Sequence, residues 1–96
     1  MIEIRQSERF SQWFEALRDS QARMRIQTRI RRLSLGNPGD VRPVGERVSE
    51  MRIDYGPGYR VYFVQRGDTL IILLAGGDKR TQERDIAIAR TMAREI

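Results

Sequence analysis

The chain of 96 residues contains no cysteine and no histidine. Without cysteine it has no disulfide, no thiolate metal site and no cysteine nucleophile. Without histidine it lacks the usual general base near neutral pH and the commonest metal ligand. Any catalysis therefore falls to arginine, lysine, tyrosine or carboxylates. Lysine is nearly absent too: 17 of the 18 basic residues are arginine, and Lys79 stands alone. Arginine's planar fork suits bidentate contact with phosphate or carboxylate, although a GC-rich genome gives the same bias without function. No apolar run approaches the length of a membrane span, and the N-terminus Met1-Ile2-Glu3-Ile4-Arg5-Gln6 lacks the apolar core of a signal peptide. The expected location is the cytoplasm, with no membrane partner.

With 40% hydrophobic and 32% charged residues, the composition is that of a soluble globular protein, and the length fits one domain over residues 1–96. The formal charge of +5 is concentrated in one place. Residues 21–35 carry Arg23, Arg25, Arg29, Arg31 and Arg32 with no acid, and the rest of the chain is nearly balanced.

The stretch Glu50–Gln65 reads as a β-hairpin. Met51, Ile53, Val61 and Phe63 alternate, as in a strand pair with one face in the core. Tyr55-Gly56-Pro57-Gly58 supplies the reversal, because glycine admits positive φ and proline fixes its own. The opposite face is expected to carry Glu50, Arg52, Asp54, Arg60 and Tyr62, exposed and charged. Before this hairpin, residues 2–6 alternate as an edge strand. Ser7 then caps a helix with Phe10, Trp13, Phe14 and Leu17 on one side, and these aromatics are expected to pack in the core. Asp19 or Ser20 caps a second helix with Ala22, Ile26, Ile30 and Leu33 inward and Arg25, Arg29 and Arg32 as a separate stripe. That stripe is either a solvated face or a docking surface for an acidic partner. Residues 36–45 read as loop, and Thr69–Ala75 as a central strand covered on both sides. Gly76-Gly77-Asp78-Lys79-Arg80 leaves that strand, and Thr81 caps a last helix with Ile86, Ala89 and Ala93 inward. The predicted order is β-α-α-β-β-β-α, an α+β fold: a helical hairpin packed on a small, mostly antiparallel sheet, with a C-terminal helix.

Two stretches, Glu50–Phe63 with Gly58-Tyr59-Arg60 at its centre, and Leu74-Ala75-Gly76-Gly77-Asp78-Lys79-Arg80-Thr81-Gln82 followed by Asp85-Ile86, resemble the RelE/ParE superfamily of bacterial toxins, in its HigB-like addiction-module-killer branch. The resemblance covers nearly the whole length. It implies a toxin neutralised by a cognate antitoxin, often a helix-turn-helix DNA-binding protein through which alone operator DNA would be contacted. Many such relatives cut mRNA in the ribosomal A site without metal or other cofactor, and ParE-like ones inhibit DNA gyrase by protein binding.

Metal-free RNA cleavage needs a base for the ribose 2′-hydroxyl, an acid for the leaving oxygen and positive charge for the pentavalent intermediate. By the resemblance, Arg60 matches the catalytic arginine, Arg52 a basic position on the preceding strand, and Lys79 with Arg80 the basic residue after the last strand. Their bland alternative is a surface ion-pair cluster with Glu50 or Asp54. For the proton, Tyr55, Tyr62, Glu50 and Asp54 are the candidates, and a tyrosine titrating near about 10 is a poor base unless adjacent arginines lower it. Arg80, Arg25, Arg29 and Arg32 are expected to contact RNA or ribosome. Two other classes stay open: a gyrase inhibitor in which the same arginines are structural, and a general nucleic-acid-binding module working through the residue 23–32 stripe.

Overall fold

The computed structural model describes residues 1–96. Strand β1 (Glu3–Gln6) leads into α1 (Glu8–Ala16), whose N-cap Ser7 accepts the backbone N–H of Phe10 at 3.0 Å. Helix α2 (Ser20–Ser34) is capped by Asp19, which accepts the N–H groups of Gln21 and Ala22. Both caps satisfy amide donors that helix starts leave unpaired. Then follow β2 (Val41–Pro43), β3 (Ser49–Ile53), β4 (Tyr59–Arg66), β5 (Leu70–Asp78), a 3-10 turn at Lys79–Thr81 and α3 (Gln82–Arg94).

The five strands lie in the order β1-β5-β4-β3-β2, antiparallel except for the β1–β5 pair. The α+β architecture, with a helical pair on a mostly antiparallel sheet and a C-terminal helix, is thus the expected one, with three local differences. Residues 41–43, read as loop, form an edge strand that pairs Val41 with Met51 and Pro43 with Ser49. The edge tolerates Pro43 because a missing N–H matters little there.

The second difference is that β5 does not stop before Gly76 but runs to Asp78. Gly76 and Gly77 are in the strand because side chains from both layers press on them. A Cβ at Gly76 would collide with the Trp13 ring, and one at Gly77 with the Asp85 carboxylate. Third, Thr81 sits at the N-cap of α3 without a capping bond of its own. Asp78 caps the preceding turn instead, and the Thr81 hydroxyl donates to Asp85 Oδ2 at 2.5 Å.

The sheet is covered on both sides. Phe10, Ile26 and Leu33 from α1 and α2 meet Met51, Ile53, Val61, Phe63, Ile71 and Leu73. On the other side Val48, Tyr62, Val64, Leu74, Ala75 and Ala89 pack together beneath α3, flanked by Ile86 and Ala93. Burial of each large apolar side chain contributes roughly 1.5–3 kcal/mol. No helix is long and apolar enough to cross a membrane.

Candidate functional site: a cationic cleft at the open end of the sheet

The hairpin face opposite the helical pair carries the residues expected of it, but α3 covers only part of it. In register, Glu50 stands opposite Tyr62 and Arg52 opposite Arg60. The Glu50–Tyr62 end is buried: both residues are fully inaccessible. The expectation of a uniformly exposed, charged face is corrected here, since α3 contributes Gln82 and Ala89 over that end.

Beneath α3, Glu50 collects four partners. Its Oε1 accepts Arg42 Nε at 2.9 Å and lies 3.6 Å from Arg60 Nη1, and its Oε2 accepts Tyr62 OH at 3.1 Å and Gln82 Nε2 at 2.9 Å. Burial by itself would push this carboxyl up, but the hydrogen bonds from Arg42, Gln82 and Tyr62 outweigh it and hold Glu50 below its ordinary value. Burial, followed by the neighbouring Glu50 charge, pushes the Tyr62 phenol well above the ordinary tyrosine range. Tyr62 is therefore a hydrogen-bond donor here and not a base, and it lies outside the cleft. Glu50, with both oxygens occupied, anchors Arg60 instead of moving a proton.

At the other end the face is open. A cleft of about 480 Å³ is lined by Arg52 and Asp54 from the first hairpin strand and its end, Gly56–Gly58 from the turn, Arg60, Lys79 and Asp40. The turn is made possible by Gly56 and Gly58, at φ 57° and 81°. It brings Gly58 so near the stem of Lys79 that a Cβ there would lie 3.6 Å from Lys79 Cβ. Three cations from three segments thus meet in one cleft. Like charges directly opposite on a sheet are destabilising, yet Arg52 and Arg60 are paired. Arg52 has only a marginal contact, 4.0 Å to Asp40 Oδ2, and Lys79 has no carboxylate within ion-pair distance. Arg60 is 6% exposed, and its Nε is buried without any hydrogen-bond partner. A buried donor without an acceptor is costly in a folded protein, and Arg60 is the cleft residue that carries one. No three His, Cys, Asp or Glu side chains come together to hold a metal ion.

The structure therefore unites Arg52, Arg60 and Lys79, with Asp54 on the same wall, and leaves Tyr55, Tyr62, Arg80, Arg25, Arg29 and Arg32 off it. Tyr55 turns away from the cleft: its hydroxyl donates to Asp19 Oδ2 at 2.9 Å, and the Arg25 guanidinium stacks 4.7 Å from its ring centroid. The bond to Asp19 raises the Tyr55 phenol, so the arginines do not activate it. Arg80 is exposed, pairs with Asp78 at 3.0 Å and is not on the cleft wall. Arg29 donates to the backbone carbonyls of Arg52, Pro38 and Asp40, tying the residue 38–40 loop to the hairpin. Arg25 and Arg32 line a second groove along α2. Arg42 and Asp40 escaped the sequence reading, because their places depend on β2, a strand too short to show alternation.

Residues 12–94 match the model of the family described as "Phage derived protein Gp49-like (DUF891)". The chain is also 43% identical over 95 residues to an uncharacterized protein of Haemophilus influenzae, covering 99% of this chain and 96% of that one. These matches correct the RelE/ParE, HigB-like assignment, because the family shown is a different one. The motif residues that suggested it answer local geometry: Gly58 needs positive φ, and Gly76 and Gly77 leave room for Trp13 and Asp85.

Proposed function

From the premise that the chain belongs to the phage-derived Gp49-like family, we propose that it is the toxin of a type II toxin–antitoxin module that cleaves mRNA on the ribosome without a metal. Family membership fits a toxin–antitoxin-related protein with an antitoxin as partner. The observation that carries the chemistry is the meeting of Arg52, Arg60 and Lys79 in one cleft.

In this reading the scissile phosphate sits between the three cations, which stabilise the charge that builds on its oxygens. Of the four candidates for proton transfer, Asp54 is the one on the cleft wall. It takes the proton of the 2′-hydroxyl as the O2′–P bond forms. The P–O5′ bond breaks, and the leaving 5′-oxygen takes a proton from water in the open cleft. The products are a 2′,3′-cyclic phosphate and a 5′-hydroxyl end. Glu50 positions Arg60 throughout.

The test is primer extension on a reporter mRNA after a short pulse of expression, wild type beside Arg60→Ala, with growth followed in parallel. Cuts inside translated codons that vanish in Arg60→Ala are expected. Growth arrest with intact mRNA contradicts the nuclease and points to a protein target such as DNA gyrase.

A further inference from the structure

The outer face of α2 is charged and partly apolar, and nothing in the chain covers it. Of the four large hydrophobic side chains left exposed, two are the terminal Met1 and Ile96. The other two are Met24, 62% exposed, and Leu35, 54% exposed. Met24 lies in the helix and Leu35 is its C-cap residue, eleven positions on; at about 100° and 1.5 Å per residue the cap comes to the same side of the helix about 16 Å further along. Thr28 lies between them with its hydroxyl already donated to the Met24 carbonyl, so it offers no free donor there. Arg31 and Arg32 flank the line near Leu35, and Arg25 and Gln21 form its groove side.

None of the five α2 arginines has a carboxylate within ion-pair distance. Arg29 is held by carbonyls, and Arg23 and Arg25 lie over the Phe14 and Tyr55 rings. Arg31 and Arg32 have no side-chain partner of any kind. The groove beside this line, of about 480 Å³, shares Ile53 and Asp54 with the cationic cleft, so the two are neighbours.

We propose that this face docks an acidic amphipathic helix of a partner protein, its apolar side chains seated on Met24 and Leu35 and its carboxylates on Arg25, Arg31 and Arg32. An apolar pair spaced three turns apart suits a helix of matching periodicity. It offers single-stranded RNA no open aromatic face on which bases could stack; Tyr55, the aromatic ring beside the groove, is covered by Arg25. A second copy of the chain brings the same positive face and a net charge of +5, so self-pairing is repelled. If the toxin reading above holds, the partner is its antitoxin, and the shared wall at Ile53 and Asp54 puts the docked helix next to the cleft that holds Arg60.

The test needs no nuclease activity and so stands apart from that reading. A fluorescein-labelled 16-residue peptide, with leucines eleven positions apart and glutamates on both flanks, is titrated with the protein by anisotropy. A scrambled peptide of equal charge, and single-stranded RNA of equal length, serve as comparisons. Expected are micromolar binding of the patterned peptide, at least tenfold weaker binding of the scrambled one, and a tenfold loss in Met24→Glu/Leu35→Glu. Arg31→Glu/Arg32→Glu, also on the exposed surface, loses the acidic peptide and gains its lysine-substituted counterpart. Equal binding of the two peptides, no binding, indifference to the α2 substitutions, or RNA binding that is lost with Met24→Glu/Leu35→Glu would each overturn the proposal.

Discussion

One sheet face, built from the same two strands, has two ends that behave oppositely. At the Glu50–Tyr62 end every polar group has a partner, and Glu50 and Tyr62 are fully inaccessible. Two residues along, at the Arg52–Arg60 end, three cations line one cleft with Asp40 and Asp54, and the buried Nε of Arg60 has no partner. Both ends carry charged side chains, and what separates them is where α3 lies. Beneath the helix a polar network must be complete, because an unpaired group in low dielectric is costly. Beyond it, solvent allows unmatched charge, and only there can a ligand reach it. Glu50 joins the two: it completes the buried network and holds one nitrogen of the cleft arginine.

The largest effect is expected from Glu50→Ala. It removes the carboxylate from a buried ion pair and leaves the Arg60 charge uncompensated, so the folded state should lose about 3–5 kcal/mol. For a chain of this size each kcal/mol lowers the melting temperature by roughly 4–8 °C, and thermal denaturation by circular dichroism reads the loss. An unchanged melting temperature would mean that the network carries no net stability.

Next is Arg60→Ala, for which mRNA cleavage is expected to fall by roughly 100- to 1000-fold, as when a group that stabilises transition-state charge is removed. Glu50 keeps Arg42, Gln82 and Tyr62, so this variant should stay folded, which separates loss of the site from loss of the structure. Arg60→Lys should recover little, because a point charge does not replace the planar fork.

Acid should distinguish the ends as well. The Glu50 carboxyl lies below its ordinary value of 4.5 when folded, so its contribution is present above that pH and disappears as pH falls through the lower folded value. Urea denaturation in steps below about pH 5 should show stability falling more steeply in wild type than in Glu50→Gln. Asp19 and Asp78, also held low by their hydrogen bonds, supply a slope common to both proteins. Parallel curves would remove Glu50 from the account.

The smallest effect belongs to Tyr55→Phe. It deletes one exposed hydrogen bond to Asp19, worth about 0.5–1.5 kcal/mol or less, and cleavage should persist. A Tyr55→Phe protein that folds but no longer cuts would return the tyrosine to the site.

The sequence made the two capped helices legible because Ser7 and Asp19 each stand directly before an apolar stripe of helical period. It made the hairpin legible too, through strict alternation around a glycine turn. Val41–Pro43 was invisible because three residues carry no period, and the segment is a strand only by virtue of the β3 edge beside it. Gly76-Gly77 looked like an exit because glycine marks both turns and close approaches, and only the tertiary structure brings Trp13 and Asp85 against it. For the site, alternation identified which side chains share a face and so grouped Arg52 with Arg60. It could not say how far along that face α3 extends. For the same reason Tyr62 looked accessible, and Arg29, which folds back onto loop carbonyls, looked like a free cation.

The most direct measurement is a nitrogen-15 NMR titration of the arginine Nε–H signals with a short single-stranded RNA carrying 2′-deoxy residues, so that it binds without being cut. The Arg60 Nε–H signal is expected to shift strongly and saturably, and the Arg29 signal, its guanidinium held by carbonyls, to stay in place. Saturation with the Arg60 signal unmoved would contradict the claim that this cleft is an anion site.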